Sequence, residues 1–271
     1  MNKLEKKRAF TLAELLVAMF LFSFIAVLLI PNVTQNAEKS LFTTQLKKVQ
    51  NDIQQAMLVM LTENQGTLQA MCSGREQSAN ECFRNQLAKR LEYRVMYDGE
   101  ADPENCNDNK SELMNACKQK DAYEAREPRL LDKRTPANFD VNDNNSYSAV
   151  NLKNGATVSV VFIPSCNGAV GGYSLGGGIN TEVRTAPAKL CGYIEVDTNA
   201  AKEPNMVGKD IHYFWIIDKD GIVPFGELDD FICGSDVPGG NYQTPKQVGI
   251  TAINTLGCTY RLIQEGNIDY Y

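Results

Sequence analysis

One carboxylate, Glu14, stands in a run of apolar residues where only Thr11, Glu14 and Ser23 carry polar side chains between positions 10 and 30. An ionisable group in such surroundings is costly, so it is a candidate functional residue. Eight cysteines follow the run: Cys72, Cys82, Cys106, Cys117, Cys166, Cys191, Cys233 and Cys258. None forms a C-x-x-C pair and the sole histidine is His212, so a zinc centre lacks its usual ligand spacing and no metal is assigned. His212 lies in DIHYFWII with no recognisable Ser or Cys nucleophile motif; it reads as a half-buried strand histidine, and neither enzyme activity nor a cofactor is expected. GAVGGYSLGGG, residues 168–178, lacks the lysine and Ser/Thr of a phosphate-binding loop and reads as a surface loop flanked by Cys166 and Cys191. VDTNAAKEPN and DKDG supply hard oxygens at Asp197, Asn199, Asp218 and Asp220, a donor type that suits calcium. Neither completes an EF-hand, and turn chemistry accounts for both equally well.

The surrounding elements limit these possibilities further. The 271 residues allow one or two domains with a real core, and a formal net charge of −6 disfavours nucleic acid as a partner. Lys118, Lys120, Arg126, Arg129, Lys133 and Arg134 alternate with Asp121, Glu124, Glu127 and Asp132, which describes a solvated mixed-charge surface. Residues 1–9, MNKLEKKRA, are short and basic, and the run from Phe10 to Ile30 is about 31 Å long as a helix, enough for one bilayer crossing. Lys3, Lys6, Lys7 and Arg8 place the amino terminus in the cytoplasm by the positive-inside rule and the remainder outside. LLIPNVTQNA, which follows the run, has no A-x-A-like site for an ordinary signal peptidase. A non-cytoplasmic body makes the even cysteine count a set of disulfides. Pairing along the chain, Cys72–Cys82, Cys106–Cys117, Cys166–Cys191 and Cys233–Cys258, is the leading arrangement among many possible ones.

Beyond Pro31 the helix continues, because a proline can kink a helix without ending it. Ala37, Leu41, Val49, Ile53, Met57, Met60 and Leu61 recur at three- and four-residue steps, widened by Phe42 and Leu46, which predicts an amphipathic helix to about residue 63. A second helix is expected from Ser78 to about Tyr97, and loops over residues 98–115 and 132–147. ATVSVVFIP, CGYIEVD, DIHYFWIID and GIVPFG predict antiparallel strands, the last two joined by a turn at Lys219, Asp220 and Gly221. CTYRLIQEGNIDYY fits a short helix or an edge strand. The expected fold class is α+β: a long amino-terminal helix on an antiparallel sheet, divided into residues 1–9, 10–30, 31–63 and a disulfide-stapled head, 64–271, with strands mainly in 150–271.

KKRAFTLAELLVAMFLFSFIAVLLIPNV closely resembles the class III signal of type IV pilins and type II secretion pseudopilins, matching at Ala9, Phe10, Thr11, Leu12 and Glu14. Ala9 stands where the family usually has glycine, and Pro31 falls where many members carry a proline. The resemblance implies cleavage by a prepilin peptidase between Ala9 and Phe10 and methylation of the new Phe10 amine. It implies assembly through Glu14, whose carboxylate meets the terminal amine of a neighbouring subunit within the packed helices. The implied partners are the peptidase, other subunits and an inner-membrane assembly platform. The implied location is the inner membrane as a single span, then a periplasmic or extracellular filament. A large head favours a minor subunit, and the Cys233–Cys258 loop would serve adhesion or subunit contacts. The alternative is a signal-anchored ectodomain that binds a ligand or surface and never polymerises.

Overall fold

A computed structural model describes residues 11–74, 79–97, 139–140, 149–167, 173–175, 179–181, 189–200, 202–228, 233 and 256–266. Side chains are described outside 26–36, 95–97 and the short strands at 139–140, 173–175 and 179–181. Helix α1 runs from Leu12 to Glu63. Its end matches the sequence expectation, and its backbone continues through Pro31, whose side chain is not among those described. The chain divides into two compact units, residues 1–41 and 42–271. Among the described residues no helix is long and apolar enough to cross a membrane.

In the larger unit, α1 buries Phe42, Leu46, Val49, Ile53, Ala56, Met57, Met60 and Leu61 in one core with Val158, Ile194, Phe214 and Ile216 of the sheet. Ala37 and Leu41, expected on this stripe, are exposed. The core face starts at Phe42, and a helical stripe of period 3.6 centred on Leu46, Val49, Ile53 and Met57 turns Leu41 to the opposite side.

Helix α2, Ala79–Ala88, is followed by strand β1, Tyr93–Tyr97. The single expected helix from Ser78 to Tyr97 therefore divides. Cys82, Phe83, Leu87 and Ala88 bury a helical face, whereas residues 93–97 take extended backbone against Ala149–Leu152, a partner that local spacing does not reveal. The main sheet contains β1, β3 (Ala149–Leu152), β4 (Thr157–Phe162), β7 (Leu190–Asp197), β8 (Ile211–Ile217) and β9 (Gly221–Pro224), in the order β1-β3-β4-β7-β8-β9. Every pairing in it is antiparallel. A second sheet joins β2 (Phe139–Asp140), β5 (Tyr173–Leu175) and β6 (Ile179–Thr181). The expected loops at 132–147 and 168–178 thus each contain a short strand, and the rest of both lies outside the described residues.

Helix α3, Cys258–Glu265, resolves the open assignment near the carboxyl end, and Gly266 closes it in the left-handed conformation with φ +72°. The turn at Lys219–Gly221 forms as expected, with φ +73° at Lys219 and +84° at Gly221. Gln54 of α1 clamps that turn: its amide donates to the Asp220 carbonyl (3.2 Å) and its oxygen accepts from Ile222 N–H (3.1 Å). At the other end of β8 the Lys209 ammonium lies 5.8 Å from the centre of the Phe42 ring. These two contacts run α1 along β8 in the same direction. Disulfides join Cys72–Cys82, Cys166–Cys191 and Cys233–Cys258, while Cys106 and Cys117 lie outside the described residues.

Candidate functional site

At the start of α1, Thr11 and Glu14 satisfy each other. Thr11 donates to Glu14 Oε2 from its backbone N–H (2.8 Å) and from its hydroxyl (3.0 Å), and Glu14 N–H donates to Thr11 Oγ1 (3.3 Å). This is a capping box, in which a Thr and a Glu three residues later close two otherwise unpartnered helix-terminal donors. The T-x-x-E spacing is visible in the sequence, where Thr11 reads as a motif match and not as a cap. The carboxylate is held at the amino end of the helix, where the macrodipole favours negative charge. Both residues remain exposed, so a cation from another molecule can reach Glu14. Ala9 and Phe10 lie outside the described residues.

Behind Glu14 the helix presents apolar side chains to its surroundings on all sides. Leu12 is 77% exposed, Phe20 71% and Phe22 74%, with Leu15, Leu16, Val17, Met19, Leu21, Phe24 and Ile25 also open. Ser23 removes its own polarity by donating to the Met19 carbonyl (2.8 Å). An apolar surface this continuous needs a cover of lipid or protein.

The oxygen-rich positions do not form one site. Asp197 pairs with Ile211 at one end of the β7–β8 ladder, and Asp218 follows Ile217 at the other, about 24 Å away along the strand. Asp218 works as a buckle: its Oδ1 accepts from the Thr67 hydroxyl (2.6 Å) and from the N–H groups of Leu68 (2.6 Å) and Gln69 (3.4 Å). Asp197 accepts from Asn199 N–H (3.2 Å), the turn chemistry that sequence offered as the alternative to calcium.

Asp210, which the sequence reading passed over, is buried and accepts from the N–H groups of Asn205 (2.9 Å) and Met206 (2.6 Å). Burial pushes its carboxyl up to about 6 against the pull of those hydrogen bonds. His212 is fully buried, more so than expected, with Nε2 at 3.2 Å from the Lys209 carbonyl and no partner for Nδ1 among the described residues. Burial lowers it to about 4, so its ring is neutral near pH 7. Among the described residues, one group of three metal-type ligands has its ligand atoms within 4.8 Å of one another: Cys166, Cys191 and Asp218. Two of its members are joined as a disulfide.

Residues 5–30 match the family model of the prokaryotic N-terminal methylation motif, the class III prepilin signal of type IV pilins and pseudopilins. No curated protein and no solved structure matches the chain.

Proposed function

We propose that this protein is a structural subunit, a minor pilin or pseudopilin, of a type IV pilus or type II secretion filament. A prepilin peptidase cuts before Phe10 and methylates the new amine, and an inner-membrane platform passes the subunit into the filament. Residues 10–30 hold the chain in the membrane with the head outside, then pack among neighbouring helices in the filament. The methylation motif at residues 5–30 carries this reading.

The surroundings of Glu14 support a mechanism. Its carboxylate sits at the first turn of α1, accessible and already fixed in direction by Thr11. The cationic amine of an adjacent subunit, brought alongside by packing of the apolar helices, pairs with it. The pairing removes two desolvated charges at once and sets the axial register. No step needs catalysis by this chain, and the protein is not proposed to be an enzyme.

The test is incorporation. With the cognate machinery present, a Glu14→Ala chain inserts into the membrane like the parent but is depleted from sheared filaments at least tenfold. Parental incorporation of the variant would remove the assigned role of Glu14. A chain that is processed but never found in filaments, variant or parent, would favour the non-polymerising ectodomain.

A further inference from the structure

Cys166, Cys191 and Asp218 come from three neighbouring strands: just past β4, inside β7 and just past β8. Backbone bonds that do not involve sulfur hold them there. Ile163 N–H donates to the Cys191 carbonyl (2.6 Å) and Asp218 N–H to the Lys189 carbonyl (3.0 Å). All three residues are buried, and their ligand atoms lie within 4.8 Å of one another. Among the described residues, the hydrogen bonds at the Asp218 carboxylate fall on Oδ1, supplied by residues 67–69, and none falls on Oδ2.

We propose that, with the Cys166–Cys191 bridge reduced, this triad binds a thiophilic divalent cation of the zinc class. The inference is independent of the filament reading. A dithiol supplies two electrons and two protons, the S–S bond becomes two thiols, and the dithiol itself becomes a disulfide. Without a cation, the neighbouring carboxylate opposes ionisation of both thiols, because three negative charges would share one buried corner. A divalent cation reverses this balance. Both thiol protons pass to water, two thiolates and Asp218 Oδ2 become ligands, and a water completes a four-coordinate site. Two sulfurs in the set select zinc-like ions over calcium or magnesium. The cation then holds the β4–β7–β8 corner before the bridge forms and keeps these two thiols from mispairing with other cysteines.

The experiment uses the full chain in nonionic detergent, reduced with a water-soluble phosphine that takes its oxygen from water. Cobalt(II) is titrated as the probe, and differential alkylation with mass spectrometry identifies the shielded thiols. The expected result is intense thiolate-to-cobalt absorption, saturating at one equivalent, with Cys166 and Cys191 protected. The signal should vanish in the double variant Cys166→Ser/Cys191→Ser and persist in Cys72→Ser/Cys82→Ser. Asp218→Asn keeps the Oδ1 acceptor and should weaken binding by at least about tenfold. The oxidised parent should give no band. No cobalt band in the reduced parent, whether it stays folded or not, would overturn the proposal. So would protection of other cysteines instead, or an undiminished signal in the Cys166/Cys191 variant.

Discussion

His212 and Asp210 lie two residues apart, both buried, and burial moves them in opposite directions on the pH scale. His212 falls from 6.5 to about 4. Above pH 6.5 the ring is neutral in both folded and unfolded chains. As pH falls towards 4 only the unfolded ring takes a proton, so stability is lost, by about 3 kcal/mol across that window. Asp210 rises from 3.8 to about 6. Below pH 3.8 it is protonated in both states, and between there and 6 only the unfolded carboxyl ionises. Stability is therefore lost as pH rises, again by about 3 kcal/mol.

Over pH 4–6 the two slopes cancel in the parent, and single substitutions expose them. His212→Gln leaves the Asp210 slope, so the variant loses about 2 kcal/mol from pH 4 to 6 relative to the same variant's value at pH 4. Asp210→Asn leaves the His212 slope, and stability rises by about 3 kcal/mol as pH climbs from 4 to 6.5. The slope is the readout, so a constant cost of either substitution does not disturb it. Urea unfolding of the full, disulfide-intact chain in nonionic detergent reports it through Trp215, the sole tryptophan, which is fully buried. Parallel curves for the parent and both variants from pH 4 to 6.5 would refute the reasoning.

Three further outcomes follow from the geometry. Gly192→Ala puts a Cβ at 2.0 Å from the Val161 carbonyl oxygen, at φ +136°, and should break the β4–β7 ladder locally and cost more than about 3 kcal/mol in the same unfolding assay. Asp218→Ala leaves the Thr67 hydroxyl and the Leu68 N–H without their acceptor, and should lower stability by about 2–3 kcal/mol while exchange of amide protons over residues 67–69 speeds up. Cys72→Ser/Cys82→Ser removes a closed loop of ten-residue separation and should cost about 3 kcal/mol.

The sequence revealed most where one local pattern had one structural answer. Runs of β-branched and aromatic residues bounded by turn residues gave β4, β7, β8 and β9, and helical spacing gave α1 to Glu63. It misled where local spacing fitted two answers. Leu91 and Val95 continue a four-residue helical step from Leu87, yet extended pairing with β3 takes residues 93–97. Leu41 fits the apolar stripe by count, but only the packed position of the helix shows that the core begins one residue later. At the candidate site Glu14 was legible because a carboxylate conflicts with its apolar surroundings. Thr11 was legible as part of the motif but not as the cap of α1, because a hydroxyl there conflicts with nothing. Gln54 and the Cys166–Cys191–Asp218 corner depend on contacts between distant segments, which no local pattern encodes, and Asp210 takes its partners within its own turn, whose burial only the fold sets.

The central claim is that the chain is a processed filament subunit, and mass spectrometry of its amino terminus tests it most directly. Expressed with a competent prepilin peptidase, the chain is predicted to begin at Phe10 and carry one added methyl group, while without the peptidase it retains residues 1–9. Recovery of only the uncut, unmethylated form in the presence of an active peptidase would contradict the account.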